Sequence, residues 1–400
     1  MAKHGFDERK LHHNLDRLFE GWVESGMLPC VQAQIIRHGE TAYDKAFGWA
    51  DMESKAPLQQ DSIFRIYSMS KVFTSAAMLM LLEEGRYKMH DPLSKFVPEF
   101  KDARVAEYSA SRQLQLVPPR REIIIRDLFT MASGIPYPGG DTASERAVQR
   151  VFDAYDANLA KGEEWDTPRF LRALSQVPLT FHPGEHWWYG YSIDVLGHLI
   201  PVLTGQSVSE FFQDRIFAPL GLVDTHMTLP EEKRGRLVTM YDVDGAGKMT
   251  RNENFDQNDG YFIPRLVQSG GGGLLSTASD VSRFAQMLLG FGASGDTRLL
   301  SRKSVELMRT NHLTPQQLAD YTWDTQRGYG YGLGVRVMMH PEIAGYGSVG
   351  EFAWDGMAGT WFAVDPSEDL TAVILVQTSP GRHYQFVPQF AQAVYGAIAD

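Results

Sequence analysis

Ser68-Met69-Ser70-Lys71 runs directly into Val72-Phe73-Thr74-Ser75-Ala76-Ala77-Met78-Leu79-Met80-Leu81-Leu82, and the reading of this stretch decides the fold. Its apolar residues recur at spacings a helix buries, on almost every side, which predicts a central helix. Residues three apart on a helix share one face, with Cβ atoms about 5–6 Å apart. Ser68 and Lys71 therefore meet, a hydroxyl nucleophile beside an amine base. Phe64-Arg65-Ile66-Tyr67 reads as extended chain ahead of the helix, and Gly85 supplies a left-handed cap after Glu83 and Glu84. At the amino end of a buried helix, free N–H groups and the positive end of the macrodipole favour negative charge on Ser68. The competing reading makes Ser68 an N-cap and nothing more. Partners elsewhere in the chain separate the two.

Two stretches supply them. Trp187-Trp188-Tyr189-Gly190-Tyr191-Ser192-Ile193-Asp194-Val195-Leu196-Gly197 reads as a turn entering a helix. Gly350-Glu351-Phe352-Ala353-Trp354-Asp355-Gly356-Met357-Ala358-Gly359-Thr360-Trp361-Phe362-Ala363-Val364-Asp365-Pro366 alternates and turns like two paired strands. With these in place the chain resembles the serine β-lactamase and penicillin-binding protein superfamily, and within it the class C-like carboxylesterases called family VIII. Ser68 and Lys71 match the Ser-x-x-Lys motif, Tyr189-Gly190-Tyr191 the Tyr-x-Asn position, and Trp354-Asp355-Gly356 the Lys-Thr-Gly position. Intervening segments match as well: Leu128 to Ile135, Ala218-Pro219-Leu220-Gly221-Leu222, and Gly270 to Asp280. The resemblance covers about Phe64 to Val376.

A free amine titrates near 10.4 and a phenol near 10, so neither is basic at neutral pH unless its surroundings shift it. Lys71 and Tyr189 are therefore expected to act as one coupled base for Ser68. The resemblance implies an oxyanion hole made of the backbone N–H groups of Ser68 and Met357, with Gly356 allowing substrate close to the strand. It also implies that Tyr189 returns a proton to the leaving alkoxide before water releases the acyl group. Trp354 and Asp355 stand where β-lactamases hold a cation and a hydroxyl, and Tyr191 stands in place of an amide. These departures favour neutral, apolar acyl groups over anionic lactams, with Trp354 as an aromatic wall; the competing reading of Trp354 is a core aromatic. Tyr137 joins Trp354, Asp355, Gly356 and Tyr191 as an expected substrate contact, among aromatics typical of a pocket.

Other patterns point elsewhere and are set aside. His182-Pro183-Gly184-Glu185-His186 spells a zinc-peptidase motif that needs a helix, which Pro183 and Gly184 break. Gly270 to Gly273 lacks the Lys-Ser or Lys-Thr of a phosphate loop and reads as a close backbone approach before a helix. No Gly-x-Ser-x-Gly elbow occurs. Neither metal nor organic cofactor is expected.

The 400 residues, 43% hydrophobic, suffice for a large core. A net charge of −11 disfavours nucleic acid and anionic membranes as partners, and the single Cys30 precludes an internal disulfide. The first residues include acids and no apolar core, unlike a signal peptide, and no apolar run reaches the roughly 18 residues of a spanning helix. A cytoplasmic location is the expectation; the oligomeric state is left open.

Leu11 to Val23 reads as an amphipathic helix, and Val31 to Arg37 with Thr41 to Phe47 as a hairpin. Strands are expected again only near the end, at Tyr331–Met338, Gly350–Ala353, Thr360–Val364 and Thr371–Gln377, before a closing helix from Gln385 to Ile398. Helices fill the interval, with Lys101 to Arg121 and Gly139 to Trp165 as surface excursions. The fold class is thus α/β of the α+β type: an antiparallel sheet from both chain ends, flanked by terminal helices, with an inserted mostly helical region. Residues 1–66 and 265–400 are assigned to the sheet part and 67–264 to the helical part, with the site in the groove between them, as in the superfamily. The function expected is hydrolysis of small apolar carboxylic esters through an acyl-Ser68 intermediate, with weak β-lactam hydrolysis as a side activity. Its rivals on the same fold are a β-lactamase, a D-amino-acid peptidase or amidase, and an acyltransferase. Outside enzymes the rival is a catalytically silent scaffold.

Overall fold

Alternation along Cys30–Arg37 places Val31, Ala33 and Ile35 on one face of a sheet and Gln32 and Gln34 on the other. In the computed structural model, which describes residues 4–109, 111–253 and 259–400, this strand lies between Leu370–Leu375 and Glu40–Asp51. The nine-stranded sheet continues past Leu370–Leu375 through Thr360–Asp365, Phe352–Ala353, Arg336–Met338 and Tyr329–Tyr331. Ala56–Pro57 closes the far edge, and Asp355–Gly356 pairs beside the main path with Thr360–Asp365. All of these pairings are antiparallel, with Gln34 opposite Val373 and Phe362 opposite Val373 on its other side. Both ends of the chain therefore share one sheet, as expected.

The two faces are covered differently. Val31, Ala33, Ile35, Trp361 and Ile374 pack with Leu11, Leu15 and Phe19 of the Glu8–Glu24 helix and Phe386 and Phe390 of the His383–Tyr395 helix. Phe362, Val364, Val373 and Leu375 point the other way, into a larger cluster shared with the interior helices. Ser70–Glu83 is the centre of that cluster, with every residue from Ser70 to Leu81 buried. Phe73 stacks on Phe284 of the Ala278–Leu289 helix, with ring centroids 3.7 Å apart. Each such apolar side chain contributes about 1.5–3 kcal/mol by leaving water, so the helix is held firmly enough to position groups at its end.

That end differs from a simple cap. Tyr67–Met69 forms a 3-10 turn continuous with the helix, and Tyr67 has a left-handed φ of 42°. A left-handed non-glycine residue costs of the order of 1–3 kcal/mol and persists only where its surroundings enforce it. Here Phe64–Arg65 pairs with Leu275–Ser276, and the Ile66 N–H donates to the Leu274 carbonyl at 3.1 Å. This short ladder lays the glycine segment Gly270–Gly273 alongside the helix. Ser68 is inside the turn and caps nothing.

Three expectations about elements are corrected. Tyr331–Met338 is not one strand but a hairpin of Tyr329–Tyr331 and Arg336–Met338, reversed through Gly334 at φ 78°. The Gly139 to Trp165 excursion holds the 17-residue helix Ala143–Leu159, started by a Thr142 and Glu145 capping box that the sequence displays. Its many charges conceal a narrow apolar stripe. The Lys101 to Arg121 excursion contains the hairpin Val105–Tyr108 with Leu114–Val117, largely exposed on its second strand. Among the described residues no helix is long and apolar enough to cross a membrane.

Candidate active site

Lys71, the second residue of the central helix and only 1% exposed, directs its amine back toward Ser68. Nζ lies 3.0 Å from Ser68 Oγ and 2.6 Å from the carbonyl oxygen of Gly271, to which it donates. The spacing of three predicted this meeting; the glycine segment supplies the second partner. Ser68 opens onto a cavity of about 660 Å³, within the range that holds small organic ligands. Tyr189 lines the same cavity, its ring centroid 5.0 Å from Lys71 Nζ, and the ring of Tyr137 is 5.5 Å away. Three distant stretches thus converge on one amine.

Trp354 holds Tyr189 in place. The indole N–H donates to the Tyr189 oxygen at 3.2 Å, and the two rings stack at 5.6 Å with an interplanar angle of 22°. The expected aromatic wall is corrected here: Trp354 is wholly buried and does not face the cavity. Asp355 also turns away, its carboxylate accepting from the Gln326 amide at 3.2 Å. Gly356 is pressed against the turn that carries Ser68. A Cβ there would lie 2.2 Å from the Ile66 carbonyl oxygen and 2.3 Å from Thr360 Oγ1, so only glycine fits without displacing backbone. This contact brings Met357, half exposed, to the cavity beside Ser68. Tyr137 and Tyr191 line the cavity as expected.

Comparison with known proteins now bears on this arrangement. The family model described as Beta-lactamase matches residues 15–395. The chain belongs to the beta-lactamase family. Protein Rv1367c of Mycobacterium tuberculosis is 33% identical over 369 residues, covering 89% of this chain and 88% of that protein. Esterase EstB of Burkholderia gladioli is 27% identical over 399 residues, covering 93% and 92%. Among solved structures, "EstCE1, a hydrolase with promiscuous acyltransferase activity" has a TM-score of 0.79 at 24% identity, covering 97% of this chain and 99% of that one. This member of the beta-lactamase family therefore has esterases among its relatives and shares its fold with a hydrolase.

Sequence reasoning passed over Asp194. It is 1% exposed in the first turn of the Ser192–Thr204 helix and accepts from Tyr137 Oη at 2.8 Å, Ser269 Oγ at 2.5 Å and the Gly271 N–H at 3.0 Å. Gly271 thus donates to Asp194 through its nitrogen and accepts from Lys71 through its oxygen. A Cβ on Gly271 would lie 2.1 Å from the Asp194 carboxylate. The readable signal was an acid among Ile193, Val195 and Leu196, where burial demands partners. Burial, with the Asp194 charge second, raises the Tyr137 phenol well above its ordinary value, and the same two causes act on Tyr191. Tyr137 is therefore a hydrogen-bond donor at neutral pH and not a base. His198, buried behind Tyr191, is held down at about 4 by desolvation.

The zinc-like stretch is engaged otherwise. The buried His182 pairs with Glu107 at 2.7 Å, and His186 with Asp320 at 3.0 Å.

Proposed function

We propose that this protein is a serine hydrolase that cleaves carboxylic esters with apolar acyl groups through an acyl-Ser68 intermediate. The observation that carries the reading is the 3.0 Å contact between Lys71 Nζ and Ser68 Oγ at the wall of an open cavity. Lys71, with Tyr189 beside it, takes the Ser68 proton as Oγ attacks the ester carbonyl. The Gly271 carbonyl and Asp194 fix the direction of the amine, a preorganisation that removes reorientation from the barrier. Backbone N–H groups of Ser68 and Met357 meet the developing oxyanion. Trp354 donates to the Tyr189 oxygen and stacks on its ring, which fixes the phenol in place at the cavity.

The burial of Trp354 and the engagement of Asp355 leave no cation at the third motif for a lactam carboxylate. That supports esters over β-lactams, and the esterase relatives support the same choice. The test compares p-nitrophenyl butyrate with nitrocefin in wild type and Ser68→Ala. Ester turnover abolished by the substitution, with nitrocefin slower by at least about a hundredfold in kcat/KM, is the expected result. A phosphonate ester should label Ser68, read by intact mass and peptide mapping. Ester hydrolysis that survives Ser68→Ala overturns the reading.

A further inference from the structure

Arg265 enters the same cavity as Ser68 and, among the described residues, has neither a hydrogen bond nor an ion pair. It is half-buried. Elsewhere the chain pairs its shielded guanidinium groups: Arg37 with Glu368, Arg236 with Asp224, and Arg336 with Glu351. A cation drawn partly out of water without a partner is costly, and native proteins keep such groups where a ligand completes them. Among the described residues no acid supplies that partner: Glu164 accepts from the Leu266 N–H at 2.8 Å, and Asp194 accepts from Tyr137, Ser269 and Gly271. The same cavity is lined by the apolar and aromatic side chains of Phe152, Tyr191 and Val267.

We propose that the substrate is an ester carrying a carboxylate remote from the scissile bond, its carboxylate held by Arg265 and its apolar segment laid along Phe152, Tyr191 and Val267. This rests on the ester-hydrolase reading of Ser68. A guanidinium fork matches a carboxylate with two parallel hydrogen bonds, which selects for that group as well as binding it. The third motif carries no cation, and Arg265 supplies one within the cavity that Ser68 also lines.

The test uses mono-p-nitrophenyl esters of adipic, pimelic and suberic acids against p-nitrophenyl esters of monocarboxylic acids matched in length. A second pair, 4-butyryloxybenzoate against phenyl butyrate, places the carboxylate on the alcohol side. In one of the two sets the anionic ester is expected to be favoured by about tenfold or more in kcat/KM, mostly through KM, with the preference shrinking at high ionic strength. Arg265→Gln should reduce that ratio about tenfold, and Arg265→Lys should retain part of it. Should Arg265→Gln fail to fold, inhibition of wild-type butyrate-ester hydrolysis by suberate or benzoate takes its place, and competitive inhibition weakened by salt is the expected result. Hydrolysis of neutral esters with no preference in either set, or a ratio unchanged by Arg265→Gln, overturns the carboxylate assignment and leaves ester hydrolysis standing. Failure to turn over any of these esters overturns both.

Discussion

On the helical side of the cavity, Asp194, Gly271 and Lys71 form a hydrogen-bonded run that ends on Ser68. On the sheet side, Trp354 is buried, Asp355 accepts from Gln326, Gly356 packs against the Ile66 carbonyl, and the half-exposed Met357 lines the cavity. The first wall carries the Lys71 amine with its hydrogen-bond partners, and the second carries tight packing around Gly356. One wall thus acts through polar side chains that touch one another, and the other through packing.

Removing the amine should have the largest effect on this division. Lys71→Ala is expected to lower kcat by at least about a thousandfold, with a smaller loss of melting temperature than a wholly apolar core deletion, because removing a buried amine relieves a desolvation cost that offsets the lost methylenes. Parallel kinetics and calorimetry check it; a fall in stability that accounts for the lost rate would erase the distinction between the walls. Gly356→Ala attacks the sheet wall through backbone alone. The added methyl must displace the Ile66 carbonyl, so a drop of about a hundredfold in kcat is expected, with stability lowered by about 1–3 kcal/mol by denaturant titration.

Trp354→Phe keeps an aromatic ring against Tyr189 while deleting the indole N–H. A loss of about tenfold in kcat, with KM little changed, would show the sheet wall reaching across to the proton machinery; no loss would make it purely steric. The smallest effect lies behind both walls, at His198. Its folded value of about 4 is below the ordinary 6.5, so the unfolded chain binds the proton more tightly between those limits. Stability present above about pH 6.5 is therefore lost as pH falls toward 4, by up to about 3 kcal/mol. His198→Gln should flatten that slope in unfolding curves taken across the window, whatever it does to absolute stability.

The sequence made some of this legible and hid the rest for definable reasons. Ser68 and Lys71 are three apart on a helix, so their contact is a local property and could be read directly. The shared sheet was legible because Val31, Ala33 and Ile35, and Phe362 and Val364, recur at every second position of apolar runs bounded by turns. For Trp354 the motif position left two readings, an aromatic wall and a core aromatic, and its complete burial accords with the second. Asp194 and Gly271 escaped because their pairing is non-local, and Arg265 because Ile263-Pro264-Arg265-Leu266 has no periodicity to place it.

Ile66, two residues ahead of Ser68, donates through its N–H to Leu274 and accepts through its carbonyl from Thr360 Oγ1 at 3.2 Å. One peptide neighbour of the nucleophile is thus tied to segments roughly two hundred and three hundred positions later in the chain. Closing loops of that size comes late and is slow in folding. Competence should consequently emerge as the last event of maturation: a refolding sample regains helical circular dichroism first, and the capacity to turn over ester only when these far-separated tethers have closed.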